Sequence, residues 1–151
     1  MAKTYRLNVG ARLINSVFRL MTSLGLGASY RYILTVPGRK TGRLYSTPVD
    51  VIETAGDRWL VAGYGPVSWV RNARVVGKVT LSRGGRSEKF TLVEVAAQTA
   101  IPVLRAYVDK IKVTRPYFDA SPDSPDDAIA AELPRHAVFR LVAERAQPNE
   151  R

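Results

Sequence analysis

The sequence contains no cysteine and a single histidine, His136. Without thiols there is no disulfide scaffold, no thiolate metal or iron–sulfur site and no cysteine nucleophile. One imidazole cannot build a histidine-rich metal site, and a Ser-His-Asp triad would have to use His136. That residue stands in PRHAVFRLV, at the start of an expected strand, where a partly buried structural histidine is expected rather than a catalytic one. Carboxylates are missing from the first part of the chain. Met1 to Thr47 holds eight basic residues and no acidic one, and Asp50 is the first acid. So few groups remain for nucleophilic or acid–base work that an enzyme of this composition would borrow its hard chemistry from a cofactor. Long apolar runs are missing too. Residues 11–26 are broken by Arg12, Asn15, Ser16, Arg19, Thr22 and Ser23. That falls short of the ~18 consecutive apolar residues of a spanning helix and lacks the pattern of a secretory signal. The expectation is a cytoplasmic protein, with membrane association left open.

What the chain does have is 151 residues, enough for one domain with a single substantial core. The expected layout is one domain over 1–151: an N-terminal helical segment to residue 27, a β-rich body over 28–144, and a tail over 145–151. Lys and Arg number 23 against 13 Asp and Glu, a net charge of +10. Residues 1–90 carry 15 basic and 4 acidic side chains, a net of +11, and residues 91–151 carry 8 and 9, a net of −1. A field concentrated in this way implies an anionic partner: nucleic acid, a membrane surface or a phosphorylated ligand. The basic residues do not interleave with aromatics as a base-stacking platform would, which argues against nucleic acid.

Periodicity predicts a helix over residues 8–25, with Leu13, Ile14, Val17, Phe18, Met21 and Leu24 on one face. It suits a surface helix packed on the core, or a basic amphipathic helix making peripheral membrane contact. Strands are expected at Tyr30–Val36, Leu44–Thr54, Arg58–Tyr64, Lys78–Ser82, Glu88–Val95 and Ala137–Val142. Turns fall at Pro37-Gly38, Ala55-Gly56-Asp57 and Arg83-Gly84-Gly85-Arg86. Helices are expected at Ser68–Arg74 and Gln98–Val113. A third is expected from Ser124 as N-cap and Pro125 at N1, with Asp126 and Asp127 in the first turn. Short strands in hairpins with helices between them predict a mainly β (α+β) chain whose antiparallel sheet closes into a small barrel.

Two segments carry chemistry. Pro37–Pro48, PGRKTGRLYSTP, sets Arg39, Lys40 and Arg43 in a glycine-bounded turn followed by Tyr45, Ser46 and Thr47. Arginine binds phosphate through two parallel bonds, lysine as a point charge, and backbone N–H groups in such a turn can cradle an anion. A solvated basic hairpin fits the same residues equally well. Leu60–Asn72, LVAGYGPVSWVRN, ends a strand in the small residues Ala62, Gly63 and Gly65 and continues to Trp69, Arg71 and Asn72. Small residues there leave room for a flat ring, and Trp69 either stacks on it or anchors a short helix.

The run strand–GRKTG–R–x–x–[ST]–T–P–strand–hairpin–strand–small residues–W-x-x-N resembles the deazaflavin (F420)-dependent nitroreductase and quinone reductase family of actinobacteria. The resemblance covers residues 10–95 well and the last third loosely. It implies a split β-barrel of the FMN-binding type and an oxidoreductase that transfers hydride from reduced coenzyme F420 to a quinone, an enone or a nitro compound. F420 carries a phospholactate and a glutamate tail. By the family's motif, Arg39 and Lys40 would grip the phosphate, and Thr41, Gly42 and Arg43 would continue that wall. Thr47, Pro48 and Val49 would line the ring, with Ala62 and Gly63 at its other side and Trp69 and Asn72 supporting the closing loop. Tyr64 and Tyr117 would be the catalytic candidates, and Tyr107 and Phe118 further candidates for the acceptor wall; Tyr117-Phe118 in RPYFD fits a place in the core as well. The implied partner is a small hydrophobic or quinone-like molecule, with no nucleic acid, and the protein would be a monomer or a homodimer. An FMN-binding protein and a lipid or haem carrier on the same barrel stay open as alternatives.

Overall fold

The computed structural model describes residues 2–4, 16 and 28–144. The predicted helix over 8–25 and the tail after 144 therefore lie outside the described residues, except for Ser16, which is helical and exposed.

Six strands run antiparallel: β1 (Arg31–Pro37), β2 (Leu44–Thr54), β3 (Asp57–Val61), β4 (Lys78–Arg83), β5 (Arg86–Glu94) and β6 (Val138–Ala143). They close into a barrel in the order β1-β2-β3-β6-β5-β4. Tight turns fix the hairpin registers. Ala55 and Gly56 both take positive φ, 54° and 77°, between β2 and β3, and Gly84 and Gly85 do so between β4 and β5. Two consecutive positive-φ residues form the turn whose twist matches paired strands.

Alternation along the strands builds two cores. Leu34, Val51, Leu60, Leu81, Phe90, Phe139 and Leu141 fill the barrel. Their neighbours Ile52, Trp59, Val61 and Val138 face outward and are covered by helix α2 (Ala97–Lys110) through Val103, Leu104, Tyr107 and Val108. Strands buried on both faces read as continuous apolar runs, as WLV and AVF do here. Helix α1 (Ser68–Val76) stops one end of the barrel with Val70 and Ala73. Toward the other end Arg58 lies over the rings of Phe90 and Tyr32, at 5.2 and 5.4 Å.

Three expected boundaries move. The third strand ends at Val61 instead of Tyr64, because Gly63 N bonds back to Val61 O and Gly65 N to Ala62 O, which turns the chain. Helix α2 ends at Lys110, and a 3-10 helix (Lys112–Tyr117) follows. The break lets Ile111 enter the second core, while Thr114 Oγ1 donates to the Ile111 carbonyl. The last helix, α3 (Asp126–Ala130), is capped by Pro125 and not by Ser124. The Ser124 hydroxyl is instead engaged by Ser121, accepting from its N–H at 2.9 Å. Among the described residues no helix is long and apolar enough to cross a membrane.

Candidate functional site

The β1–β2 hairpin overhangs the end of the barrel that α1 stops. Its turn is held by Gly38 N to Arg43 O at 2.7 Å and Gly42 N to Gly38 O at 2.9 Å, with Gly42 at φ 76°. A side chain at position 38 would sit 2.7 Å from the Tyr45 ring, so the aromatic ring lies directly on the turn. Asn72, buried on α1, fastens the turn from below. Its Oδ1 accepts from the Arg39 backbone N–H at 3.0 Å and from Arg39 Nη1 at 2.8 Å. Lys40 and Arg43 stay exposed, Arg43 lying 5.9 Å from the Tyr45 ring centroid.

Between this hairpin and α1 lies a cleft of about 990 Å³. Val36, Gly38, Arg39, Lys40, Thr41, Tyr45, Ser46, Thr47 and Pro48 form the hairpin side. Pro66, Val67, Ser68, Trp69, Arg71 and Asn72 form the helix side, and Tyr64 and Ser16 complete it. Three of these residues are cationic, Arg39, Lys40 and Arg71, and among the described residues no carboxylate lines the cleft. The amino end of α1 opens here. Val67 is its N-cap without a side-chain cap, and no acid occupies the first turn, so the N–H groups of that turn add positive potential to the wall. Trp69 is half-buried and leans on Phe139, ring centroids 6.1 Å apart.

Of the residues singled out in the sequence, Arg39, Lys40, Thr41, Thr47, Pro48, Trp69, Asn72 and Tyr64 line the cleft. Gly42 and Arg43 belong to the same turn without lining it, and Val49 packs against the barrel core beneath. Ala62 is buried in that core, and Gly63 is buried where a Cβ would run into the Tyr107 hydroxyl. Tyr117 stands behind the cleft, its ring edge-on to Tyr64 at 5.2 Å. Tyr107 and Phe118 do not reach the cleft; both are buried in the second core. Burial pushes the Tyr107 phenol far above its usual pKa, which keeps it neutral. Arg71, Tyr45 and Ser46, which stand in the two chemical segments but received no role from the family motif, also line the cleft. The signal for Arg71 was its place between Trp69 and Asn72.

His136 is fully buried rather than partly buried, with both ring nitrogens on backbone carbonyls: Nδ1 2.7 Å from Ala62 O and Nε2 2.9 Å from Tyr117 O. Its ring stacks on Phe118 at 3.8 Å. With both ring nitrogens on backbone carbonyls, it does not form a triad.

Residues 11–117, more than two thirds of the chain, match the model of the F420H2-dependent quinone reductase family. None of the curated proteins compared matches the chain. Among solved structures it is similar to an F420-H2 dependent reductase, FDR-A, with 18% identity, TM-score 0.53, and coverage of 74% of this chain and 93% of that one. A chain described as a domain-swapped dimer gives 18% identity and TM-score 0.56 over 83% and 91% of the two chains. The heme storage protein HutZ from Vibrio cholerae gives 11% identity and TM-score 0.54 over 93% of each. These likenesses establish the barrel fold, and the family match establishes the rest: the chain belongs to the F420H2-dependent quinone reductase family and is an F420-dependent oxidoreductase.

Proposed function

We propose that the cleft between the β1–β2 turn and α1 holds F420 and that the acceptor reduced there is a quinone. The observation that carries this reading is the cleft's composition: Arg39, Lys40 and Arg71 from two elements, the amino end of α1, and no carboxylate among the described lining residues. Such a wall suits a phosphate-bearing anion, and Val36, Pro48, Val67 and Trp69 offer apolar surface to a flat ring.

When bound, reduced F420 supplies the hydride. The chain supplies position and charge. Arg39 presents its guanidinium in an orientation set by Asn72, while Lys40 brings a mobile point charge. Thr41 continues the anion wall, and Gly42 and Arg43 shape the turn that carries it. Thr47 and Pro48 face the ring, Val49 supports them, and Trp69 braces the α1 side. Ala62 and Gly63, buried where the chain turns just beyond β3, place Tyr64 at the cleft. Hydride addition to a quinone leaves one oxygen anionic and in need of one proton. Tyr64 is 36% exposed and can donate to that oxygen, with water restoring its proton. Tyr117 acts through Tyr64 by bracing its ring. The match of this barrel to a domain-swapped dimer favours a homodimer over a monomer.

The test is fluorescence titration with F420. Lys40→Ala is expected to weaken binding by about 1.5–3 kcal/mol, the range for a lost charged hydrogen bond, or roughly 10- to 150-fold in Kd. Unchanged affinity would overturn the phosphate assignment. Steady-state rates with a quinone, an enone and a nitro compound then rank the acceptors, and a quinone that is not the best of the three would overturn that choice.

A further inference from the structure

The bonds around His136 close a circuit that ends on the acceptor side of the cleft. Ala62 is gripped twice from the 136–137 segment: its N–H donates to Ala137 O at 2.9 Å, and its carbonyl faces His136 Nδ1 at 2.7 Å. Two residues on, Tyr64 enters the cleft. The Tyr64 ring meets Tyr117 edge-on at 5.2 Å, and the Tyr117 carbonyl faces the other imidazole nitrogen at 2.9 Å. One buried ring therefore ties the backbone that carries Tyr64 to the backbone that carries its aromatic brace. Both partners of the imidazole are backbone carbonyl oxygens, one at each ring nitrogen.

The ring itself has little freedom. Phe118 stacks on it at 3.8 Å with planes 17° apart. Glu132, equally buried, brings Oε2 within 3.6 Å of Nε2. That carboxylate is in turn fixed by the N–H groups of Asp119 and Ala120, at 2.7 and 2.9 Å, and by Arg135 at 3.1 Å. A tightly packed core could have filled this space with an apolar side chain at less desolvation cost. A polar assembly buried here makes sense as a device that fixes geometry.

We propose that His136 is a positioning residue for the reaction: it sets the Tyr64–Tyr117 wall and thereby the place of the acceptor, while leaving F420 binding to the opposite wall. The proposal rests on the reading that the acceptor lies at Tyr64. His136 does not line the cleft, and the anion-binding residues Arg39, Lys40 and Arg71 lie on other elements.

The test uses the purified full chain and three single variants, His136→Gln, Tyr117→Leu and Tyr64→Leu. Two readouts are separated: the Kd for F420 by fluorescence, and kcat and KM with a soluble short-chain quinone. Each variant is expected to raise the quinone KM about tenfold, the order expected when a positioning contact is lost, and to keep the F420 Kd within about twofold. Because the three act through one wall, His136→Gln combined with Tyr64→Leu is expected to raise KM no further than either alone. Three results each overturn the proposal: a KM unchanged in Tyr117→Leu, a KM effect in the double variant equal to the product of the singles, or a loss of F420 affinity in His136→Gln matching its loss in KM. Tyr117→Leu leaves the imidazole in place, so it decides the matter even if His136→Gln does not fold. Failure of the wild-type chain to bind F420 would count against the cleft assignment instead, and is read separately.

Discussion

Asn72 allows the anion reading to be separated from simple stability. Its Oδ1 is the one acceptor for two Arg39 donors, the backbone N–H at 3.0 Å and Nη1 at 2.8 Å. Asn72→Ala removes both bonds. The guanidinium is exposed and regains water, so the stability loss should be about 1–2 kcal/mol, near the value of ordinary hydrogen bonds. For a chain of this length that lowers Tm by roughly 2–8 °C. Affinity for F420 should fall about 5- to 30-fold, since the turn must then be ordered on binding. Asn72→Asp separates the two effects. Its carboxylate still accepts from both Arg39 donors, now with charge assistance, so Tm should stay within about 3 °C of the parent. Yet it places a negative charge beside a cleft whose described lining has none. Against an anion bound in the cleft, at an effective dielectric near 20, the repulsion is on the order of 2 kcal/mol. F420 binding should weaken about 30-fold and recover partly in low-pH buffer, while melting is almost unchanged. Differential scanning fluorimetry of the free protein and fluorescence titration with F420 read the two quantities. An Asn72→Asp variant that melts normally and binds F420 as tightly as the parent would refute the claim that the cleft recognises negative charge.

Gly63→Ala should destabilise the fold by about 1–3 kcal/mol through overpacking, because the new methyl meets the Tyr107 hydroxyl, with Tyr107 Cζ at 2.8 Å and Thr114 Cγ2 at 3.0 Å; adding Tyr107→Phe should recover part of the lost Tm. Arg71→Ala should weaken F420 binding by about 0.5–1 kcal/mol, the discounted value for an exposed charge, and the effect should shrink as salt is raised. Asp119 is held below its ordinary pKa mainly by the hydrogen bond from Arg135 and then by the Ala2 N–H. A lowered carboxylate stabilises the fold above its unfolded value and loses that contribution as pH falls through the folded one. The stability gap between the parent and Asp119→Asn should thus be full at neutral pH and close below about pH 4, read as Tm against pH.

The barrel was legible because local signals agreed with one another. Turn signals at 55–57 and 83–86 fell where the positive-φ turns are, and β-branched runs between them became the strands. Misplaced boundaries arose where tertiary contacts decided. Tyr64 continues an apolar, aromatic run, but the chain turns at Ala62 because backbone bonds to Val61 and Ala62 close there. Ile111 fits the helical period, yet it leaves the helix to enter the second core. The cleft was legible at its motif ends, Arg39 to Pro48 and Trp69 to Asn72. It was not legible in the aromatic residues of the last third, because one-dimensional spacing cannot tell an outward-facing ring from one under a helix. Tyr107 and Phe118 proved to be core, and Tyr117 stands one ring behind the surface. No spacing rule brings His136 to Ala62, 74 positions earlier; closure of β3 against β6 does that.

The uneven charge divides in the same way. Several basic side chains in the first 90 residues are committed within the barrel: Arg31 to Asp50, Arg58 to Glu53 and Glu88, Arg74 to Glu94, Lys78 to Glu144, and Arg83 to the Arg31 carbonyl. The first four raise the formal count but are matched by carboxylates, and Arg83 is held in place by a carbonyl. Arg86 and Lys89 lie exposed on β5, on the far side of the barrel wall from the turn that carries Lys40. At the cleft the balance differs. Arg39 is held by a neutral amide, Arg43 faces a ring, and Lys40 and Arg71 are offered to the cleft without a carboxylate in its described lining. Neutral and aromatic partners orient a cation without cancelling its charge, whereas a carboxylate would compete with an incoming phosphate. Among the described residues, freedom from acids matters at the turn, where a carboxylate within a few ångströms would cost the site its ligand. Replacing Thr41 with Glu tests that directly: the substitution leaves the exposed turn folded and should weaken F420 binding by the same order as Asn72→Asp, about 30-fold, whereas Glu at Arg86, equally basic by count and away from the cleft, should change affinity less than twofold at 0.15 M salt.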